Sequence, residues 1–191
     1  MHFLLLFIFL FCIKIGKIGV LMNTELYLEL KDNEYEYTSI THNRLIARAV
    51  VIDDENNYYF VKGNRDDDFG KCITIETSGG GIEENETPEQ AIHRELKEEL
   101  GVEVEIIRKI GIVSDYYNLI HRHNINHYFL CKITSFGKKQ LTEDEKNIFH
   151  LSTLKLSYEK ALEEYQKHTD SPLGRLLYQR EVPILKESIQ K

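Results

Sequence analysis

The sequence predicts an α/β fold of the α+β kind, in which helices pack against a mixed sheet. Strand-like segments occupy the first half of the chain, a capped helix follows them, and further strands and then helices complete the sequence. Such an order of elements is typical of a mixed sheet covered by helices. The 191 residues, 42% hydrophobic and 29% charged, suffice for one domain with a substantial core.

The first half of the chain is predicted to consist mainly of strands. A turn at residues 31–33 separates the first two, and the turn-rich segment 53–57 joins the third and fourth as a hairpin. Arg48 interrupts the otherwise apolar third strand. Residues 63–71 are polar and are predicted to form an exposed loop, and residues 78–81 a glycine-rich loop. The predicted strands are residues 25–30, 34–39, 45–52, 58–62 and 72–77.

The best-defined element is a helix over residues 88–100. Thr87 can cap its first turn, Pro88 occupies the first helical position, and Gln90 completes a Thr-x-x-Gln capping box. Gly101 stands where a left-handed C-terminal cap is expected. The sequence therefore marks both ends of this helix.

That helix places three carboxylates on one face. With Glu95 at zero and about 100° per residue, Glu98 lies near about −60° and Glu99 near about +40°. Like charges at this spacing repel and slightly destabilise a helix, which a divalent cation would offset. Hard cations such as Mg²⁺ take oxygen ligands and are often shared with substrate phosphates. The pattern predicts a Mg²⁺ site, with Mn²⁺ as an alternative. A separate apolar stripe can dock on a core: Ile92, Leu96 and Leu100.

Beyond this helix the pattern predicts two strands followed by two helices. Residues 112–118 fit no element clearly. The last helix is expected to break at Pro183, because proline lacks the N–H that a helix interior needs. The predicted strands are residues 102–111 and 126–133, and the predicted helices are residues 157–168 and 175–190.

The segment 80–102 resembles the Nudix box, G-x5-E-x7-R-E-U-x-E-E-x-G-U, in which U is aliphatic. Asn85 and Ser78 stand where many members have Gly and Pro, and neither departure touches a carboxylate. A merely solvated charged helix would explain neither the capping box nor this spacing. All nine fixed positions match: Gly80, Glu86, Arg94, Glu95, Leu96, Glu98, Glu99, Gly101 and Val102.

The resemblance implies a Nudix-type α/β/α sandwich with a mixed sheet. The Nudix hydrolase domain would cover residues 43–168. Residues 22–42 would add N-terminal strands, and residues 169–191 a C-terminal helical extension.

The resemblance also implies roles for the box residues. Glu95, Glu98, Glu99 and the carbonyl of Gly79 match the metal-binding positions of the family. A structural group orients the loop and the helix, and it consists of Gly80, Glu86 and Arg94.

Members of the family differ in which residue acts as the catalytic base, so several residues of this sequence are candidates for that role. Glu98 and Glu95 are catalytic candidates within the box. An acid from a later loop serves in some members, which favours Glu145 ahead of Glu143. An acidic surface turn is the alternative for Glu145.

Arg65 and Arg122 are the candidate substrate-binding residues, because loops carry specificity. The three aspartates at residues 66–68 make a solvated loop an equal alternative for Arg65. A zinc site built from the histidines near Arg122 would need a fourth ligand, and no cysteine stands at ligand spacing. The aromatic pairs at residues 116–117 and 128–129 are expected in the core more than against a base.

These observations predict a metal-dependent hydrolase that cleaves a pyrophosphate bond in a nucleoside triphosphate or a nucleoside diphosphate-linked substrate. A noncatalytic Nudix-like nucleotide sensor that regulates a partner is the alternative. The net charge of −7 argues against a nucleic-acid polymer as partner, although a metal would still allow a nucleotide. Three cysteines without a C-x-x-C pair suit a reducing cytoplasm. The sequence leaves open whether the protein forms a homodimer.

Residues 1–21 stand apart from the predicted domain. The apolar run at residues 3–13 is too short for a simple membrane span and lacks the basic start of a signal peptide. The codons of Gly19 and Val20 can spell a ribosome-binding sequence just before Met22. We therefore favour Met22 as the start of a cytoplasmic protein, with an N-terminal membrane anchor or a signal peptide as alternatives.

Overall fold

The computed structural model describes residues 25–189, so the predictions for residues 1–21 lie outside the described residues. The strands are β1 (Leu26–Leu30), β2 (His42–Ile52), β3 (Tyr58–Asp67), β4 (Gly70–Glu76), β5 (Ser78–Gly81), β6 (Val102–Tyr117), β7 (Arg122–Phe136) and β8 (Ser152–Leu156). The helices are α1 (Pro88–Glu99), α2 (Glu143–Asn147), α3 (Tyr158–Lys167) and α4 (Pro172–Ser188), with a short 3-10 turn at Asn118–Ile120.

The strands form one mixed sheet in the order β1-β6-β7-β2-β3-β4, with β5 paired to β2 and β8 paired to β3. The β1–β6 and β2–β7 pairs are parallel, and the β2–β3 and β6–β7 pairs are antiparallel. This arrangement confirms the predicted mixed sheet.

Helices cover both faces of the sheet. On β2, Ala47, Ala49 and Val51 pack with the apolar stripe of α1, whereas Val50 packs on the opposite face with α3 and α4. Because the second half of β2 is buried on both faces, residues 45–52 are apolar at every position except Arg48 rather than alternating with polar residues. The result is the three-layer α/β/α sandwich that the resemblance implied.

The N-terminal segment differs from its prediction. The strand at residues 26–30 is present, but residues 34–39 form no strand, and β1 pairs in parallel with β6. The Asp32 carboxylate accepts hydrogen bonds from the backbone N–H groups of Glu34 and Tyr35, and it also accepts one from that of Asn118. These local bonds turn the chain and hold it on the domain instead of letting it continue as a hairpin.

The predicted exposed loop at residues 63–71 is wrong, because these residues extend β3 and β4 into one long hairpin. Arg65 and Asp67 pair with each other, and Gly70 adopts φ 86° in the turn, so the polar residues are satisfied within the hairpin. The glycine-rich loop is a short strand as well, since residues 78–81 pair with β2.

The C-terminal half contains three further differences. Strand β6 includes residues 112–117, and Asn118 begins the 3-10 turn; α2 and β8 were not predicted. Helix α4 continues through Pro183. An interior proline costs about 3 kcal/mol, whereas burying a large aliphatic side chain contributes about 1.5–3 kcal/mol. Val182, Ile184 and Leu185 are all buried beside it, and their burial outweighs the lost hydrogen bond.

Helix α4 is therefore an integral part of the core rather than an appendage, as far as the structure describes it. Its buried residues pack with α3 against the sheet. Within residues 25–189, none of the helices combines the length and the apolar character that crossing a membrane requires.

Candidate active site

The acidic helix α1 has the ends that its sequence predicts. Thr87 accepts a hydrogen bond from the backbone N–H of Gln90, whose side chain accepts one from the backbone N–H of Thr87 in return. Gly101 follows the helix with φ 68°. The apolar stripe is buried in the core, which turns the carboxylate face of α1 toward β5.

Glu99 lies at the junction of α1 and β5. Its carboxylate accepts hydrogen bonds from the hydroxyl of Ser78 and from the backbone N–H of Gly79, the latter at 2.9 Å. Burial raises the pKa of Glu99 to about 7, and the two hydrogen bonds act in the opposite direction. Gly79 has φ 145°, and a Cβ there would lie 2.1 Å from the carbonyl oxygen of Ala47. Only glycine allows β5 to approach β2 so closely while donating to Glu99.

Arg94 connects β5, which we call the glycine strand, to α1. Its guanidinium donates two hydrogen bonds to Glu86 at 2.8 and 2.9 Å, one to the carbonyl of Gly81 at 2.9 Å, and one to Glu95 at 2.7 Å. These bonds raise the pKa of Arg94 and lower that of Glu86. The geometry suits the orienting role that the resemblance assigns to Glu86 and Arg94.

The donor set of this face suits a hard divalent cation. Glu95 is buried, and its carboxylate lies so close to Gly80 that a Cβ there would be 2.3 Å from its oxygen. Desolvation raises the pKa of Glu95, and the hydrogen bond from Arg94 acts in the opposite direction. In the described part of the chain no three acidic, histidine or cysteine side chains converge on one point. The oxygens of Glu95, Glu98 and Glu99 and the Gly79 carbonyl are all hard donors, as Mg²⁺ and Mn²⁺ prefer.

A cavity of about 260 Å³ adjoins this acidic face on the α4 side of the sheet. Gly79, Glu99 and Glu145 line it from the acidic side. Apolar and aromatic side chains line another part, among them Phe149 and Leu177. The cavity also contains five arginines: Arg44, Arg48, Arg65, Arg122 and Arg180.

Two of these arginines belong to a buried ionic network beneath the cavity. Arg180 contacts Glu76 and Glu181 at 2.7 Å each, and Arg48 contacts Glu76 at 3.2 Å. Although desolvation raises the pKa of Glu76, Arg48 and Arg180 hold it at about 2. Thr77 is held from both sides, because Arg48 donates to its carbonyl and its hydroxyl donates to Glu181. The network thus ties α4 to the residue before the glycine strand.

Arg44 and Arg122 differ from the other cavity arginines, since within residues 25–189 neither forms an ion pair with a carboxylate. Desolvation, followed by repulsion from Arg122 and Arg48, lowers the pKa of Arg44. Arg122 donates a hydrogen bond to the ring of His42 at 3.1 Å. Their two positive charges are therefore available to an anion.

Half of the ten predicted site residues line the cavity, and the other half do not: Gly80, Glu86, Arg94, Glu95 and Glu98. Arg122 and Glu145 line it, and Glu145 also accepts the capping hydrogen bond from the backbone N–H of Thr142. Arg65 lines it too, with its guanidinium 5.0 Å from the ring centre of Phe149 and in an ion pair with Asp67.

The predicted aromatic pairs lie mainly in the core. Tyr117, Tyr128 and Phe129 are buried, which confirms the core interpretation for them, whereas Tyr116 stacks on His123 with ring centres 4.3 Å apart. The His123 ring also forms a hydrogen bond with the hydroxyl of Ser114 on the neighbouring strand β6.

Sequence reasoning missed several cavity residues. The interruption of an apolar strand by Arg48 was a usable signal, because a charge in a doubly buried strand needs a partner. No local pattern marked Arg44, Asn124, Glu76 or Arg180, which meet only through strand pairing and helix packing.

Comparison with known proteins agrees with this geometry. A family model described as the NUDIX domain matches residues 42–173. An RNA pyrophosphohydrolase from Hydrogenovibrio crunogenus is 41% identical over 75 residues, which cover 35% of this chain and 44% of that protein. An 8-oxo-dGTP diphosphatase from Proteus vulgaris is 36% identical over 98 residues, covering 51% of this chain and 81% of that protein.

A solved structure shows the same fold. It is a Nudix hydrolase from Nitrosomonas europaea with a TM-score of 0.58 and 18% identity, covering 76% of this chain and 88% of that one. The family model covers well over half of the chain, and the box helix, the glycine strand and the sandwich occur together. The chain belongs to the Nudix hydrolase family.

Proposed function

We propose that the protein hydrolyses a pyrophosphate bond in a nucleoside triphosphate or a nucleoside diphosphate-linked substrate, with Mg²⁺ or Mn²⁺ as cofactor. The observation that carries this proposal is the shared cavity. Glu99 of the acidic face, together with Gly79, lines the same cavity as the two arginines without an ion pair, Arg44 and Arg122. A metal-binding surface beside free positive charge suits a chain of phosphates.

The residues of the Nudix box have two kinds of role, metal binding and positioning. Glu95, Glu98, Glu99 and the carbonyl of Gly79 would hold the metal. When bound, such a cation neutralises the diphosphate and lowers the pKa of an attacking water. Glu86, Arg94 and Gly80 keep the helix and the glycine strand in register.

Two carboxylates compete for the role of general base. Glu98 is the most exposed of the three box carboxylates, with 35% of its side chain accessible. It can therefore take a proton from water without an intervening group. Glu145 lies across the cavity on α2 and is the second candidate.

Arg44 and Arg122 would bind phosphates, because both are guanidiniums without a carboxylate partner among the described residues. Arg65 is engaged with Asp67 and stacked on aromatic rings, so we assign it to the wall of the substrate site rather than to a phosphate.

The names of the two relatives favour a nucleotide substrate. An RNA pyrophosphohydrolase and an 8-oxo-dGTP diphosphatase both cleave bonds between phosphates. Because each match covers only part of the chain, both a free nucleotide and the phosphorylated end of an RNA belong in any assay. A nucleotide sensor is the second candidate, but the presence of every box carboxylate favours catalysis.

The test is a substrate panel assayed with Mg²⁺ and with Mn²⁺. It contains nucleoside triphosphates, an oxidised guanine triphosphate, ADP-ribose, a nucleotide sugar and a 5′-triphosphate RNA. Phosphate, pyrophosphate and nucleoside monophosphate are detected separately. We expect metal-dependent turnover of at least one class that Glu98→Gln abolishes. Tight binding without turnover of any of them would favour the sensor.

A further inference from the structure

Residues 31–41, which we call the strap, join β1 to β2 without forming a helix or a strand. They precede the part of the chain that the NUDIX family model matches, residues 42–173. Every residue of the strap is exposed or half-buried, so a buried apolar face does not hold it on the domain. Because polar backbone groups need partners, the hydrogen bonds of the strap show what it does.

Four of these hydrogen bonds join the strap to Asn118, the first residue of the 3-10 turn between β6 and β7. The Asp32 carboxylate accepts from the backbone N–H of Asn118 at 2.7 Å, and the hydroxyl of Thr38 donates to the carbonyl of Asn118. The side-chain amide of Asn118 donates to the carbonyls of Tyr35 and Asp32, at 3.1 and 3.4 Å. The strap thus satisfies the N–H, the carbonyl and the side-chain amide of one buried residue.

The strap also holds the other end of this turn. The backbone N–H of Thr41 donates to the carbonyl of His121 at 2.9 Å, and the His121 ring lies 3.2 Å from the carbonyl oxygen of Ser39. His121 has φ 53°, in the left-handed region that a residue with a Cβ rarely adopts. A single 3-10 turn has weak hydrogen bonds of its own. The conformation of the turn therefore depends on the contacts that the strap supplies.

Arg122 follows His121 directly, so the strap determines where this arginine stands. Arg122 and Ile120 both line the cavity. The guanidinium of Arg122 donates to the ring of His42, the residue that follows the strap. A long side chain loses conformational entropy when it binds a ligand, and fixing its backbone beforehand lowers that cost.

We propose that the strap is a positioning element for Arg122 and that Asp32 is its main positioning residue. One carboxylate oxygen of Asp32 accepts from the backbone N–H groups of Glu34 and Tyr35, and the other accepts from that of Asn118. The same side chain therefore shapes the strap and attaches it to the turn. This inference rests on the proposed function, in which Arg122 binds a phosphate, and it adds the residues that hold Arg122 in place.

A second contact of the strap does not involve the 3-10 turn and supplies the control. Glu34 accepts two hydrogen bonds from Arg175 of α4, at 2.6 and 3.0 Å. Glu34→Gln removes the same single negative charge as Asp32→Ala, but it leaves the hydrogen bonds to Asn118 in place. Removing a negative charge by itself favours the binding of an anion. Weaker anion binding by Asp32→Ala would therefore oppose its change in charge.

The experiment measures the binding of inorganic pyrophosphate in Mg²⁺ by calorimetry, so that no turnover of a substrate is needed. Melting temperature is recorded for every protein. Thr38→Val, which keeps the size of the side chain and removes one hydrogen bond to Asn118, makes the same test if Asp32→Ala does not fold. The proteins are wild type, Asp32→Ala, Thr38→Val, Glu34→Gln, Arg122→Ala and the double variant Asp32→Ala with Arg122→Ala.

Arg122→Ala should weaken pyrophosphate binding by about tenfold or more, because it removes charge-assisted hydrogen bonds. Asp32→Ala should weaken it by about fivefold, Thr38→Val by less, and Glu34→Gln by less than about twofold. In the Arg122→Ala background, Asp32→Ala should weaken binding no further, because its effect passes through the Arg122 side chain. A merely structural role for Asp32 would weaken binding equally in both backgrounds.

Several results would overturn the inference. They are wild-type affinity in Asp32→Ala and Thr38→Val, an equal loss in Glu34→Gln, a full further loss in the Arg122→Ala background, or no pyrophosphate binding that depends on Arg122. Any of these results alongside hydrolysis of a substrate in the panel would refute the positioning role alone. Binding that depends on both Asp32 and Arg122, together with no hydrolysis of any substrate, would refute the proposed function alone.

Discussion

Replacing Gly80 by alanine tests whether the glycine strand seats the Glu95 carboxylate. A Cβ at Gly80 would lie 2.3 Å from the nearer oxygen of Glu95 and 2.5 Å from its carboxyl carbon. Because ordinary contact begins near 3.4 Å, the carboxylate must move by about 1 Å. The atoms in the way belong to the end of a flexible side chain, and φ at Gly80 is not positive, so the backbone tolerates alanine.

A displacement of about 1 Å at a catalytic group costs on the order of 100-fold in rate. We therefore expect Gly80→Ala to reduce kcat/KM by about that factor in Mg²⁺ while its melting temperature stays within a few degrees of wild type. The assay is steady-state hydrolysis of the best substrate, with thermal unfolding followed by circular dichroism.

Substitutions at two other glycines serve as controls for Gly80→Ala. At Gly137 a Cβ would meet only the carbonyl oxygen of Gly101 at 3.6 Å, so Gly137→Ala should change neither quantity. At Gly79 a Cβ would meet the backbone of Ala47 at 2.1 Å with φ 145°, so Gly79→Ala should destabilise the fold strongly. Wild-type kcat/KM in Gly80→Ala would refute the seating of Glu95, and a loss of stability like that of Gly79→Ala would point to the backbone instead.

Three further predictions address the acidic face. Glu98→Gln should keep the wild-type melting temperature and lose activity by several orders of magnitude. Glu86→Gln should lose less activity, because the proposed role of Glu86 is to hold Arg94. Near wild-type turnover in Glu98→Gln would remove Glu98 from the mechanism. Mg²⁺ or Mn²⁺ should raise the melting temperature, since a ligand that binds only the folded state stabilises it, and EDTA should abolish hydrolysis; activity in EDTA would contradict metal dependence. The pKa of buried Glu99, raised to about 7, means that the folded protein without metal keeps a proton that the unfolded chain releases above about pH 4.5. Stability in EDTA should therefore fall as pH rises from about 4.5 to 7, and a slope unchanged in Glu99→Gln would show that another group is responsible.

The sequence by itself determined α1, the helix that carries the Nudix box, and its carboxylate face. The capping box, the apolar stripe and the carboxylate face all lie within one helix, where 3.6-residue periodicity relates sequence position directly to direction in space. The contact of Arg94 with Glu86 spans eight residues and follows from the same segment. The β2–β3 hairpin was predictable too, because a short turn joins its two strands.

Long-range pairing decided what the local pattern left open. Residues 34–39 had the composition of a strand, but Asp32 and Asn118 hold that segment in another path. Helix α4 passes through Pro183 because its burial against the sheet outweighs an unfavourable local residue. Propensity is a weak guide wherever packing supplies the larger free energy.

The cavity belongs wholly to the tertiary structure. Arg44 and Asn124 are neighbours because β2 and β7 pair in parallel, although 80 residues separate them in sequence. Arg180 reaches Glu76 only because α4 packs across the sheet. Local periodicity determined which residues form the carboxylate face of α1, since one helix carries them all. Strand order and helix packing decided which arginines line the cavity beside Glu99, because contacts between distant segments depend on the whole chain being folded.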